Sequence, residues 1–476
     1  MYRKKFVPPG LLLIVLAGLG CQPAREAGYN RPVVPDTFRF TDSTVRTHPL
    51  GKDLFLKEPE LVALIDEAIG NNPDILMAAD RVNVARAHLR FRKGQLLPQV
   101  SADAEASAQK YGDYTMEGVG NYDTNLSPNI DDDQKVNQPV VPYFFLGLRS
   151  SWEIDLWGRL KSQRTAAMKS LLATREGHRL VITSIVAEIA SRYYELKTLD
   201  AALKVIEDNI KLQESAVEIA EVQKLAGRTT ELGVQQFQAQ LLRTRSYYEQ
   251  TRQNIVRIEN EINFLAGRFP QPVVRCSVKD TVPQVHLAGT PQQILDNRPD
   301  IRQAELELEA SAADVQAAKA ALLPALRLTP FAGYSTFNAP AMFDPASIAW
   351  GLVGGLSAPV LNRSEGKSRV ARSKAEQQLA YHQYFRTVTS AFAEVETTLS
   401  NMQHLQGIYR LNLQENEVLQ KAVTTSNELY QVGYATYLEV IAAQGNAIEA
   451  QLNALETRRN LYHALVTLYR ATGGGW

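Results

Sequence analysis

From Arg159 to Leu225 the chain runs for more than sixty residues without a proline or a helix-stopping cluster. At about 1.5 Å of rise per residue, an unbroken helix there extends roughly 100 Å, far beyond a globular domain. A rod that long cannot bury its own apolar side chains, so it needs companions of similar length. Apolar residues recur every seventh position through Ile182, Ile189, Leu196, Leu203, Ile210 and Val217, with a second line at Ile185, Leu199 and Ile206. A strict seven-residue stripe is a coiled-coil seam. Periodicity alone fits an isolated coiled-coil rod equally well.

The rest of the chain is more specific, because it is written twice. NNPDI (Asn71 to Ile75) answers NRPDI (Asn297 to Ile301), and LLPQV at Leu96 answers LLPAL at Leu322. WGRLKSQRTA from Trp157 aligns with LNRSEGKSRV from Leu361, and LAGRTTELGV (Leu225 to Val234) with QVGYATYLEV (Gln431 to Val440). FLAGR at Phe264 aligns with the RATGG ending at Gly474. The order is the same in both halves, so a unit of roughly two hundred residues is duplicated; this is no short-period solenoid.

Each unit reads helix, strand, loop, strand, long helix, turn, helix. The first places helices at about 60–96, 159–225 and 231–266, with a strand after Pro98 and another at about 141–156. The second places helices at about 291–322, 364–431 and 436–471, with strands at about 325–336 and 347–360. Its long-helix stripe is looser, through Val388, Val395, Met402 and Tyr409. In each unit the two shorter helices, laid end to end, would cover the long one. Gly227 and Gly433 suit the left-handed position that closes a helix, which makes both turns tips of helical hairpins.

The strands alternate. Val100, Ala102, Ala104, Ala106 and Ala108 point one way; Ser101, Asp103, Glu105, Ser107 and Gln109 point the other. Phe144, Leu146, Leu148, Trp152 and Ile154 oppose Arg149, Ser151, Glu153 and Asp155, and Trp350, Leu352, Leu356 and Val360 form a third apolar row. A half-buried soluble sheet alternates in this way too. Strands of about 9–11 residues with one apolar face also suit a membrane barrel. Four strands cannot close one, and lipid tolerates no open edge. If these strands cross a membrane, several copies pool them, and the chain leaves the bilayer at the Trp157–Gly158–Arg159 junction. The acidic run Asp131, Asp132, Asp133 reads as a solvated loop between strands.

At the N-terminus, Arg3, Lys4 and Lys5 precede an apolar run from Leu11 to Leu19. The run is too short for a span of roughly 20 residues, and residues 1–20 are expected to be a signal peptide. Small residues before Cys21 resemble a lipobox, with Gly18 where a Leu is usual. Cys21 is expected to carry the lipid; the alternative is an ordinary signal peptide with an incidental cysteine. Gln22 resembles release to the outer membrane. Several acyl chains hold better than one.

The 51 basic and 51 acidic residues balance, so nothing points to nucleic acid. Seven His and two Cys leave little material for a metal site; no cofactor and no metal are expected, and Cys276 receives no role. No nucleophile elbow, zincin motif or phosphate loop is present, so the chain does not read as an enzyme.

With Cys21 and the YNRPVVP stretch (Tyr29 to Pro35), the paired NPD and RPD, WEIDLWGR and the duplicated Gly-containing tips, the sequence resembles the outer-membrane efflux channels. These are the TolC-like outer-membrane factors, and the likeness is to their NodT-type lipoprotein branch. The resemblance implies a mainly α protein with a membrane β-barrel portion. A homotrimer pools twelve strands into one barrel, continuous with a long periplasmic α-helical barrel. It implies a passive export duct of a tripartite efflux system, with a periplasmic adaptor, an inner-membrane transporter of the resistance-nodulation-division type, and outer-membrane lipid around it. A protein-secretion duct of the same family and a lipid-anchored periplasmic coiled coil remain as alternatives. The expected divisions are 1–20 signal peptide, 21–59 lipidated extended segment, 60–270 first repeat, 271–290 linker, 291–471 second repeat and 472–476 tail. In such channels acidic residues ring a gate at the tips. Aligned by Gly433, one branch's acidic position falls at Ala435 and another's at Glu439 and Ala442, which leaves Glu439 as the candidate gate charge; the alternative is a solvated helix-face Glu. Arg228 and Thr229 in the other tip are candidates for pairing or adaptor contacts.

Overall fold

The computed structural model describes residues 32–35, 37–38, 58–276, 291–358 and 363–474. The expected signal peptide, Cys21 and most of the 21–59 segment and the 271–290 linker lie outside them. The chain divides into two units, Met1–Val33 and Val34–Trp476, and every described helix and strand belongs to the second.

In chain order the elements are α1 (Pro59–Asn71), α2 (Pro73–Gly94), β1 (Gln99–Lys110), α3 (Met116–Thr124), β2 (Val140–Ile154), α4 (Arg159–Leu225) and α5 (Glu231–Leu265). The second half supplies α6 (Pro291–Asp296), α7 (Pro299–Ala320), β3 (Ala325–Thr336), β4 (Ile348–Ser357), α8 (Arg363–Val432) and α9 (Tyr437–Ala471). The long helices are α4, with 67 residues, and α8, with 70. As the lengths require, α2 and α5 line α4 while α7 and α9 line α8. The two halves join where α7 and α9 also pack on α4.

Two expected elements differ. The helix expected over 60–96 is two helices, broken at Asn72, and the one expected over 291–322 breaks before Pro299. A proline disfavours helical backbone in the residue before it, and Asn72 (ψ 124°) and Arg298 (ψ 124°) are both extended. The loop after β1 contains α3, started by Thr115, whose hydroxyl accepts from the Gly118 N–H. Asp131–Asp133 enters a short turn in which Asp132 pairs with Lys135.

The main core gathers α1, the middle of α4 and the C-terminal ends of α5 and α9 around Ile189, Tyr193, Leu196, Ile258, Ile262, Leu465 and Leu468. Here the first half of the seven-residue line is buried as expected. Lower on α4 the buried positions are Ile206, Asn209, Gln213, Ala216 and Ala220, while Leu203, Ile210 and Val217 are half-buried. The seam therefore shifts onto small and polar residues where α4 runs between α5 and α9.

Candidate functional site

The four strands form one antiparallel sheet in the order β1-β2-β3-β4. Direct cross-strand partners share a face, so the register tests the alternation. Ala102 pairs with Leu148, Leu148 with Ala332 and Ala332 with Trp350; Ala104 pairs with Leu146, Leu146 with Tyr334 and Tyr334 with Ile348. The apolar row of each strand thus continues into the next, making one apolar face across the sheet. Its side chains are left bare: Trp350 is 79% exposed and Leu352 65%.

The opposite face is less uniformly polar than the sequence indicates. Arg149 pairs with Glu105 at 2.8 Å and stacks 4.4 Å from the Phe145 ring, which in turn meets Phe331 edge-on. A Cβ on Gly351 would stand 2.4 Å from Phe331 Cε1, so that glycine lets the ring lie flat against the sheet. Among the described residues no helix is long and apolar enough to cross a membrane.

The WEIDLWGR stretch builds the corner where sheet becomes helix. Trp152 Nε1 donates to the Leu96 carbonyl (3.1 Å) and Trp157 Nε1 to the Pro324 carbonyl (2.7 Å). Each indole therefore fastens one of the two duplicated LLP corners. Asp155 caps α4 by accepting from the Leu160 and Lys161 N–H groups at 3.0 and 2.8 Å. Gly158 turns the chain with φ +74°, a conformation that costs a residue with a Cβ about 1–2 kcal/mol. Arg159 then reaches back to Glu153 at 2.7 Å.

The NPD and RPD repeats close the end-to-end joints of the shorter helices. Asn72 caps α2 through its side-chain oxygen and donates from Nδ2 to the Leu265 carbonyl, the last residue of α5 (2.8 Å). Arg298, at the duplicate position, donates to the Ala471 carbonyl at the end of α9 (2.9 Å) and pairs with Asp300 and Glu394. Gly267 and Gly473, both at positive φ, make the matching turns; a Cβ there would fall 2.4 Å from the Asn71 carbonyl oxygen and 2.7 Å from that of Asn297.

At the far ends both tips close identically. Gly227 N–H donates to Lys224 O and Arg228 N–H to Gln223 O; Gly433 N–H donates to Tyr430 O and Tyr434 N–H to Leu429 O. Gly227 and Gly433 sit at φ +70° and +86°, the left-handed closure the sequence indicates. The two tips meet in a small core of Ala216, Ala220, Val234, Phe237, Tyr430 and Val440. Thr229 packs beside Gly233, against which the Tyr437 ring of the other tip also rests.

Glu439 is exposed and held in a capping box: its carboxylate accepts from the Thr436 N–H at 2.6 Å and the Thr436 hydroxyl at 2.9 Å. Those bonds, the backbone one first, hold its carboxyl below the usual carboxylate range. Within the first tip Lys224 pairs with Glu231, and Lys224 lowers the Glu231 carboxyl likewise. Glu231 lies within the duplicated stretch Leu225–Val234 and Lys224 immediately precedes it, but the Gly spacing singles out neither. The tips also expose Leu225, Leu232, Val432, Tyr434 and Leu438.

Residues 64–268 and 290–474 match the family model described as "Outer membrane efflux protein". The chain is 27% identical over 472 residues to the cation efflux system protein CusC of Escherichia coli O6:H1 (97% of each chain). It is 30% identical over 428 residues to the pyoverdine export outer membrane protein OpmQ of Pseudomonas putida (88% of this chain, 86% of that one). A crystal structure of CusC superposes with a TM-score of 0.82 at 25% identity, covering 95% of this chain and 100% of that one.

Proposed function

The chain belongs to the outer membrane efflux protein family, and from that premise we propose a homotrimeric duct gated at its helical tips. It is the outer-membrane component of a tripartite efflux pump and extends into the periplasm. In the proposed trimer, three copies of the β1–β4 sheet close into one barrel of twelve strands. Their helices close below it into a tunnel. The observation that carries this reading is the continuous, bare apolar face of a four-stranded sheet with two open edges. Edges are not tolerated in lipid, and the smallest barrels have about eight strands, so closure requires further copies.

The tips are the proposed gate, with Glu439 repeated three times around the axis and the Lys224–Glu231 pair bracing the neighbouring hairpin. A ring of like charge holds cations and repels anions. A periplasmic adaptor docks on the exposed apolar side chains around Leu225, Leu232, Tyr434 and Leu438, with Arg228 and Thr229 beside them. Through it the duct reaches an inner-membrane transporter, of the resistance-nodulation-division type. Acyl chains on Cys21 add a second hold on the membrane. The cargo is a small solute; relatives named for cations and for pyoverdine support a duct with little selectivity of its own.

Conductance of the purified protein in planar bilayers tests the gate. Replacing Glu439 by Gln together with Lys224 and Glu231 by Gln is expected to raise conductance several-fold. Unchanged conductance removes the gate assignment and leaves the duct.

A further inference from the structure

Near the main core, and far in sequence from either tip, three ligand-bearing groups converge. Glu58 and Glu60 stand at the start of α1, and Cys276 lies on the segment that follows α5. One ligand atom of each lies within 4.8 Å of the others. Cys276 Sγ is 3.3 Å from Glu60 Oε2 and 3.9 Å from Glu58 Oε2. A tetrahedral ion with bonds of about 2.0–2.3 Å sets its ligands roughly 3.3–3.8 Å apart, so these separations need little adjustment.

A second observation points into the same place. Tyr193 is fully buried, and its hydroxyl makes no hydrogen bond. Beside burial, the groups that raise its titration are Glu58, foremost and close enough to draw on the hydroxyl, then Cys276 and Glu60, although no acceptor meets hydrogen-bond geometry. A buried hydroxyl without a partner is costly, and an ion held by the three neighbours would engage a lone pair of its oxygen. Lys197, itself buried, holds both oxygens of Glu58, with Nζ 2.8 Å from Oε1 and 2.7 Å from Oε2. It can keep Oε1 while Oε2 turns to an ion, an outer contact of the kind that orients metal ligands.

We propose that Glu58, Glu60 and Cys276, with the Tyr193 hydroxyl beside them, bind a thiophilic divalent cation such as Zn²⁺ or Cd²⁺. Charge supports this. With the thiol protonated, two carboxylates and one ammonium leave one net negative charge. A divalent ion that takes the thiol sulfur and releases its proton to solvent brings the cluster to neutrality, with no change of oxidation state. The thiol is exposed, which gives an ion access. Thiolate selects soft and borderline ions over Mg²⁺ or Ca²⁺. The site ties the start of α1 to the chain leaving α5, and it stands independently of the duct reading.

The test is titration of the purified, detergent-solubilised full chain with Zn²⁺ by calorimetry, in two buffers of different ionisation enthalpy. Cd²⁺ is titrated in parallel and followed by its sulfur-to-metal charge-transfer absorption. The expected result is one saturable ion per chain with one proton released. Affinity should fall at least tenfold in Cys276→Ser and in Glu60→Gln, and the Cd²⁺ band should be lost in Cys276→Ser. Because Cys276 is exposed, the serine variant is expected to keep its melting temperature without metal, and parent alone should melt higher with Zn²⁺. Absence of saturable binding in the parent, or equal affinity and an equal Cd²⁺ band in Cys276→Ser, overturns the site.

Discussion

Asn72 and Arg298 occupy the same place in the two halves and do the same task with different chemistry. Each donates to the last carbonyl of a helix that ends against it. Asn72 caps α2 as well, and Asn72→Ala is expected to cost about 1–2 kcal/mol, mostly the lost cap. Arg298→Ala is expected to cost more. It removes a guanidinium that is only 9% exposed, leaving Asp300 without its arginine and Glu394 with Arg470 alone, at 2.5 Å. Breaking a buried pair costs about 3–5 kcal/mol. Both carboxylates remain 24% exposed, so water repays part of the loss and the low end, about 3 kcal/mol, applies. Thermal melting of both variants checks the order; a smaller loss for Arg298→Ala than for Asn72→Ala would contradict it. The sequence marks NPD, RPD and the two tryptophans but not what they touch. Their acceptors are backbone carbonyls, 56 residues from Trp152 and 167 from Trp157, and a carbonyl has no residue type to read.

At the scale of elements, helices and strands were legible because their signals are local. The long helices end at glycines in the left-handed conformation, and the strands keep period two. The seam was legible only in part. A heptad line shows that a face is apolar but not which neighbour it meets, and α4 meets α2 and α7 above, α5 and α9 below. On the lower stretch the packed line is Ile206, Asn209, Gln213, Ala216 and Ala220, while Leu203, Ile210 and Val217 are half-buried, available to another copy in the proposed trimer. The tips, by contrast, respond to pH in a way the structure sets. Thr436 lowers Glu439 and Lys224 lowers Glu231, both from 4.5. A depressed carboxylate stabilises the folded tip above its unfolded value, and that contribution is lost as pH falls through the lower folded value. Conductance is therefore expected to stay level from neutral pH to about 4.5 and to rise below it. A rise already complete at higher pH would assign gating to other groups.

For the whole molecule the decisive question is what covers the apolar face of the sheet. Leu148 sits mid-strand on that face, between Ala102 and Ala332. Ser107 lies on the opposite face, opposite Tyr143. In a soluble sheet packed on another protein surface, arginine at Leu148 would be one more poor interface residue. In hydrocarbon it costs about 2–4 kcal/mol per copy near the midplane, and a trimer incurs that three times. The same arginine at Ser107 faces water in the lumen and costs little. Leu148→Arg is therefore expected to abolish most of the membrane-assembled trimer, and Ser107→Arg to leave it near the parent level, scored by membrane fractionation and by the trimer band on unheated gels. Both variants start from uncharged side chains, gain the same charge and lie in neighbouring strands of one sheet, so general loss of folding lowers both. Only lipid on one face and water on the other separates them. Equal yields would mean that the sheet does not line a pore, and the trimer, the gate ring and the adaptor docking would fall with it.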